Sequence, residues 1–141
     1  MFFEEADIFK LDKVKRLKLI NSITGVKPAN LIGTRSADGI TNLAIFSSIV
    51  HLGSNPPLIS FVTRTSKEVN RNTLANILST NFFTINQIQK SFVKNAHYTS
   101  AKFNEGISEF EMCKLDEEYI NNFHAPFVKQ SNLKIGIELK E

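Results

Sequence analysis

Cysteine is nearly absent from this chain of 141 residues, which has one cysteine and no tryptophan. A lone cysteine, Cys113, excludes an internal disulfide framework and a multi-cysteine metal site, and it is consistent with a reducing compartment. Long apolar runs are also absent, since no stretch approaches the ~20 residues of a membrane helix. The acidic N-terminus lacks the basic flank and apolar core of a signal peptide. We therefore expect a soluble, cytoplasmic protein with no metal site and no membrane partner.

The chain has no large excess of charge of one sign. Its 17 basic and 14 acidic residues give a net charge of +3, which suits an anionic ligand without indicating nucleic acid. Basic residues do cluster in the segment 10–18, where a helix is predicted. No aromatic side chains alternate with them, as a stacking surface for bases would require. A basic nucleic-acid-binding module is therefore a remote alternative, and nucleic acid is not an expected partner.

The length and the hydrophobic content of 42% fit one domain with a hydrophobic core. No internal repeat, low-complexity tract or Gly/Ser linker divides the chain. We therefore expect a single domain over residues 1–141.

A β-hairpin is the clearest local signal. Residues 29–35 and 40–46 are predicted strands, and the turn between them contains Asp38 and Gly39. Glycine accepts the positive φ that a tight hairpin turn requires. Further strands are predicted at 58–63, 82–85, 127–128 and 133–139, and the first of these is expected to be buried. Helices are predicted at 12–22, 70–78 and 87–98. Asp12 is expected to cap the first helix and Gly25 to end it, and Asn70 is expected to cap the second.

These elements do not follow a regular βαβ rhythm. The pattern favours an antiparallel barrel or sheet with helices packed outside, in the α+β or mostly β class. In the last strand Leu133, Ile135, Ile137 and Leu139 share one face. That apolar face requires neighbours, so either the chain is cut short or a partner supplies the edge.

Short motifs follow one another along most of the chain. They are Gly33-Thr-Arg-Ser-Ala-Asp-Gly39, Asn42-Leu-Ala44, Phe46-Ser-Ser48, Ser54-Asn-Pro-Pro-Leu58, Arg71-Asn-Thr73 with Asn76, and Thr99-Ser-Ala-Lys-Phe103 followed by Gly106 and Ser108-Glu-Phe110. In order and spacing they resemble the flavin reductase-like proteins with an FMN-binding split barrel. The resemblance implies an antiparallel, Greek-key-like split β-barrel with peripheral helices. Because that family usually continues through several more strands, it also implies a C-terminally shortened chain.

The resemblance implies FMN as the cofactor and assigns the flavin-ring wall to the stretch after the first hairpin. Short side chains there let backbone amides approach the ring. The residues carried over are Asn42, Ala44, Phe46, Ser47 and Ser48. A barrel strand that runs into a serine-rich turn is the alternative interpretation of the same residues.

A phosphate needs hydrogen-bond donors and positive charge, and the first turn of a helix offers free amides. Thr73 and Asn76 are the predicted contacts at the phosphate end, with Arg64 and Arg71 as additional cations. Simple helix capping is the alternative for residues 70–73.

The implied reaction is hydride transfer from NADH or NADPH to flavin, with onward electron transfer to free flavin, an oxygenase or another acceptor. This reaction requires stacking and exclusion of water rather than a protein acid or base, so no catalytic side chain is expected. His51, His97 and His124 accordingly form no spaced constellation with carboxylates. A non-catalytic FMN-binding or flavoredoxin-like electron carrier is the alternative. The family usually pairs two barrels, which implies a homodimer.

Overall fold

The computed structural model describes residues 3–63, 72–104 and 106–140. Its helices are α1 (Glu5–Lys10), α2 (Lys13–Ile23), α3 (Asn72–Thr80), α4 (Val93–Tyr98) and α5 (Glu109–Met112). Its strands are β1 (Asn30–Arg35), β2 (Thr41–Phe46), β3 (Ile49–Ser54), β4 (Pro57–Phe61), β5 (Phe82–Gln87), β6 (Glu117–Glu118), β7 (Phe127–Val128) and β8 (Lys134–Glu138).

A four-stranded antiparallel sheet forms the centre of the fold, in the order β2-β1-β5-β8. In its register Ile32 of β1 lies between Ala44 of β2 and Ile85 of β5. Two smaller antiparallel pairs, β3 with β4 and β6 with β7, lie beside it. This mixed architecture with antiparallel sheets confirms the fold class expected from the sequence.

The central sheet has a hydrophobic layer on each face, because successive residues of a strand point to opposite faces. Leu31 of β1 belongs to one layer and Ile32 to the other. The first layer contains Leu31, Leu43, Phe92, Ala96, Phe110, Cys113, Leu115 and Val128. The second contains Ile32, Ile77, Phe83 and Ile85, with the partly buried Phe46, Ile49, Phe61 and Ile137 packed against it.

The β3–β4 hairpin is joined to the second layer by aromatic contacts. The ring of Phe61 lies 5.3 Å from that of Phe46 and 5.5 Å from that of Phe83, both in edge-on geometry. Offset and edge-on aromatic pairs of this kind stabilise packing beyond their buried area. Phe61 therefore holds the end of β4 against the sheet next to the end of β2.

Hydrogen bonds of buried polar side chains join β7 to the sheet. Thr84 Oγ1 donates to the Pro126 carbonyl at 2.7 Å, and Asn86 Oδ1 accepts from the Val128 amide at 2.9 Å. Glycine is required at position 33, because a Cβ there would collide with the Pro126 carbonyl oxygen and lie 2.6 Å from Thr84 Oγ1. The segment before β7 thus packs directly on the backbone of β1.

Local signals in the sequence correctly predicted several elements. The first hairpin forms as expected, with Gly39 at φ +91°. Helix α2 begins after Asp12, whose side chain accepts hydrogen bonds from the Val14 and Lys15 amides, and it ends before Gly25 at φ +73°. The strands predicted at 82–85, 127–128 and 133–139 correspond to β5, β7 and β8.

Other expectations were wrong in part. The strand predicted as buried at 58–63 is β4, Pro57–Phe61, and its first three residues are exposed because the hairpin extends away from the sheet. The helix predicted at 87–98 starts later, with a 3-10 turn at Lys90–Phe92, because β5 continues to Gln87. Helix α3 covers most of the predicted 70–78 helix, whereas its proposed cap Asn70 lies outside the described residues.

The apolar face of β8 is only partly covered, and β5 is the strand paired with it. Leu133 is 66% exposed and Ile135 is 49% exposed, while Ile137 packs against the second layer. Within the described ranges, no helix combines the length and apolarity needed to cross a membrane.

Candidate functional site

A cleft of about 900 Å³ lies beside the turn that connects β2 to β3. One wall is formed by the end of α2 and the segment after it, with Asn21 and residues 24–28. The opposite wall is residues 45–50, and Val62 and Thr63 complete the lining after β4. A cleft of this size falls within the roughly 300–1,000 Å³ of small-molecule sites.

The serine pair in the cleft wall has two different environments. Ser48 Oγ donates to the Val62 carbonyl at 2.8 Å and accepts from the Val62 amide at 3.2 Å. Ser48 therefore joins the start of β3 to the end of β4 and shapes the cleft. Ser47 is exposed, and its short side chain leaves the backbone of the turn open to a ligand.

Among the described residues that line the cleft, Lys27 is the cation and none is a carboxylate. The apolar part of the lining includes Ile45, Phe46 and Val50. A cleft with one cation, free backbone and an apolar edge suits a flat, anionic molecule.

A second group of predicted site residues lies between α3 and the sheet. Asn42 Nδ2 donates to Thr73 Oγ1 at 3.0 Å, and Asn76 Nδ2 donates to Thr34 Oγ1 at 3.1 Å. Asn42, Thr73 and Asn76 are each less than one tenth exposed. These bonds fasten the buried face of α3 to β1 and β2.

The structure therefore separates the predicted site residues into two groups. Phe46, Ser47 and Ser48 line the cleft. The helix-to-sheet contact consists of Asn42, Thr73 and Asn76. Ala44 is half-buried in β2 and lies between Asn42 and Phe46 in the sequence. Arg64 and Arg71 lie outside the described residues. That any of these residues contacts a flavin stays a prediction.

Sequence reasoning missed a partly buried carboxyl group at the outer edge of β2. Glu109, in α5, accepts a hydrogen bond from the Leu43 amide at 3.0 Å. Burial raises the pKa of Glu109 above its usual 4.5, although hydrogen bonds from the Leu43 and Glu109 amides oppose the shift. An acidic residue directly after Ser108, at a helix start, was the signal in the sequence.

Cys113 and the histidines add no recognisable reaction centre. Cys113 is buried in the first hydrophobic layer, and burial followed by the nearby charge of Glu109 raises the pKa of its thiol. It is therefore a packed small side chain rather than a reactive thiolate. His51 and His97 are exposed, and His124 is half-buried with no hydrogen-bond partner for Nε2 among the described residues. In residues 3–63, 72–104 and 106–140 no group of three or more His, Cys, Asp or Glu could hold a metal ion.

Comparison with known proteins identifies relatives of the chain. A family model described as the flavin reductase like domain matches residues 26–141. A solved structure that matches this chain is that of a protein from Shewanella frigidimarina NCIMB 400, which has a split barrel domain and is proposed to be a flavin reductase. The two sequences are 45% identical and the TM-score is 0.94. The match covers 100% of this chain and 69% of that chain.

Two more distant relatives extend the comparison. Nitrilotriacetate monooxygenase component B from Bacillus cereus is 21% identical with a TM-score of 0.87, and the match covers 100% of this chain and 68% of that chain. At that identity the likeness shows the fold alone. A protein of unassigned function from Aquifex aeolicus (strain VF5) is 27% identical over 124 residues, which are 87% of this chain. The match spans 62% of the length of that curated relative.

Proposed function

The chain belongs to the flavin reductase like domain family, and from this premise we propose that it is an FMN-dependent oxidoreductase that takes a hydride from NADH or NADPH. The observation that carries the proposal is the cleft of about 900 Å³ whose wall contains Phe46, Ser47 and Ser48. These are the residues that the family resemblance assigned to the flavin ring. A ring with an anionic tail fits a cleft whose described lining has an apolar edge, a cation and no carboxylate.

The chain's own residues would position and shield the cofactor. Exposed Ser47 would let the backbone of the turn come close to the ring, while the Ser48 bonds to Val62 keep that wall in place. Phe46 would supply an apolar edge that excludes water. When bound, FMN supplies the hydride and electron transfer, so the protein needs no acid or base of its own. We therefore assign no catalytic side chain.

We retain Asn42 and Ala44 as proposed ring-side residues and Thr73, Asn76, Arg64 and Arg71 as proposed phosphate-side residues. Thr73 Oγ1 accepts from Asn42, and no described residue accepts its hydroxyl proton, which would donate to a phosphate oxygen. Asn76 Nδ2 uses one of its two protons on Thr34, and no described residue accepts the other. Both residues are more than nine tenths buried, so a phosphate would reach them only through the small part that stays exposed.

A second copy of the chain is the proposed partner, and an oxygenase or another acceptor is the proposed electron sink. The β3–β4 hairpin beside the cleft exposes Val50, Leu52, Leu58 and Ile59, which a homodimer contact would cover. The oxygenase proposal is supported by the name of the Bacillus cereus relative, a monooxygenase component. We further propose that residues 1–141 form one domain and that the protein is cytoplasmic, the latter because its one cysteine suits a reducing compartment.

The test begins with the visible spectrum of freshly purified protein. We expect a flavin absorption band, and boiling should release FMN into the supernatant. Protein loaded with FMN should then oxidise NADH or NADPH in a steady-state assay with added FMN. If wild-type protein binds no flavin even at saturating FMN, the cofactor proposal fails. If it binds FMN but oxidises neither nucleotide, the reductase proposal fails and the electron carrier is the function that stands.

A further inference from the structure

Lys27 has a defined place in the wall of the cleft. Gly25, at φ +73°, ends the α2 segment in a left-handed turn, and Pro28 follows Lys27 directly. Because proline restricts the residue before it to extended conformations, the backbone at Lys27 is constrained. The strand β1 then begins at Asn30. Lys27 thus lies on a short connection of limited backbone freedom, in the same cleft as the turn that contains Ser47 and Ser48.

The charge of Lys27 is not compensated by an ion pair in the described part of the chain. Lys15, on the preceding helix, lies 3.6 Å from the Asp12 carboxylate, whereas no carboxylate of residues 3–63, 72–104 and 106–140 forms an ion pair with Lys27. None of the described residues that line the cleft is a carboxylate either. An ammonium group at such a position raises the local concentration of anions and can act as a point contact for a phosphate.

We propose that Lys27 binds a phosphate group of the ligand that occupies the cleft. This inference rests on the proposed function and names a charged contact that the family resemblance did not supply. The phosphate is either the 5′-phosphate of FMN or a phosphate of the nicotinamide dinucleotide, and both sources present the same chemistry to Lys27. The side chains of Thr73 and Asn76 do not line this cleft. An FMN phosphate held by Lys27 would therefore take the place of the phosphate position proposed at the start of α3.

Fluorescence titration with FMN and with riboflavin, which lacks the phosphate, tests the proposal in wild-type protein and the K27Q variant. Lys27 is exposed, so the substitution leaves the packing intact, which a thermal melt would verify. The K18Q variant is the matched control, because Lys18 is an exposed lysine on α2 that does not line the cleft. Binding of NADH and NADPH to the flavin-loaded proteins is measured in parallel.

The expected result is that K27Q weakens the binding of FMN by about tenfold, equivalent to about 1.4 kcal/mol, and leaves riboflavin unchanged. Higher salt should weaken FMN binding by the wild type and K18Q more than by K27Q. If the loss appears with NADH or NADPH instead of FMN, the phosphate is that of the nucleotide. Equal dissociation constants of wild type and K27Q for all of these ligands would overturn the inference while leaving the proposed function intact. Absence of flavin binding by the wild type would overturn both.

Discussion

Replacement of Asn86 by alanine tests whether buried polar contacts hold β7 against the central sheet. The Asn86 side chain is fully buried, and its Nδ2 donates to the Leu31 carbonyl at 3.2 Å and to Thr84 Oγ1 at 2.9 Å. Its Oδ1 accepts from the Val128 amide at 2.9 Å. The N86A variant loses all three bonds and leaves the Val128 amide without this acceptor in a fully buried position.

The magnitude follows from these contacts. A buried donor left without a partner costs about 1–3 kcal/mol, and the two other hydrogen bonds contribute about 1 kcal/mol each. We therefore expect N86A to lower the free energy of unfolding by about 3–5 kcal/mol, a large part of the 5–15 kcal/mol typical of a domain. Urea denaturation followed by circular dichroism measures the change. The matched control is N104A, since Asn104 is exposed and should change stability by less than about 0.5 kcal/mol. A loss below about 1 kcal/mol in N86A would refute the reasoning.

The remaining predictions concern the cleft and the edge of β2. We expect S47L to weaken FMN binding at least tenfold without lowering the melting temperature, because the leucine side chain would occupy the proposed ring position beside the turn. S91L, at an exposed serine outside the cleft, should bind FMN like the wild type. Equal affinity of S47L and wild type would contradict the proposed ring position. Because the pKa of Glu109 is raised in the folded protein, its protonated carboxyl group contributes to the free energy of unfolding. That contribution is fully present below the pKa that Glu109 has in the unfolded chain, and it is lost as the pH rises through the pKa in the folded protein. The E109Q variant keeps an acceptor for the Leu43 amide but carries no charge at this partly buried position. Its free energy of unfolding relative to wild type, measured by denaturation curves, should therefore increase over that pH range. A difference that does not change with pH would count against this account.

Elements with local chemical signals were predictable, and elements defined by distant contacts were not. Gly39 in the first hairpin and Asp12 at the start of α2 act within a few residues of themselves, so the sequence was sufficient. Strand β3 was missed because most of it is exposed: Ile49 packs against the second layer, but Val50 and Leu52 are both more than half exposed, and no alternating pattern develops. Helix α5 has four residues, too few to show a helical period.

The position of the candidate cleft could be anticipated on one side only. The resemblance pointed to residues 46–48, which line the cleft, and their contact with a flavin stays a prediction. Nothing in the spacing of Asn42 and Thr73, which are 31 positions apart, indicated that their side chains would bond to each other. The contribution of residues 24–28 to the opposite wall likewise depends on how α2 lies against the turn after β2, which is a long-range property.

The two walls of the cleft differ in how firmly the chain holds them, and this difference bears on how a ligand would bind. The wall at residues 45–50 is fixed by the Ser48 bonds to Val62 and by the packing of Phe46 against Phe61. The wall formed by the end of α2 has no such support, since neither α1 nor α2 has a buried residue. A helix of this length is marginal in water without packing, and binding regions are commonly drawn from the less stable parts of a fold. A ligand that bridges Ser47 and Lys27 would therefore stabilise the α2 wall more than the β2–β3 wall.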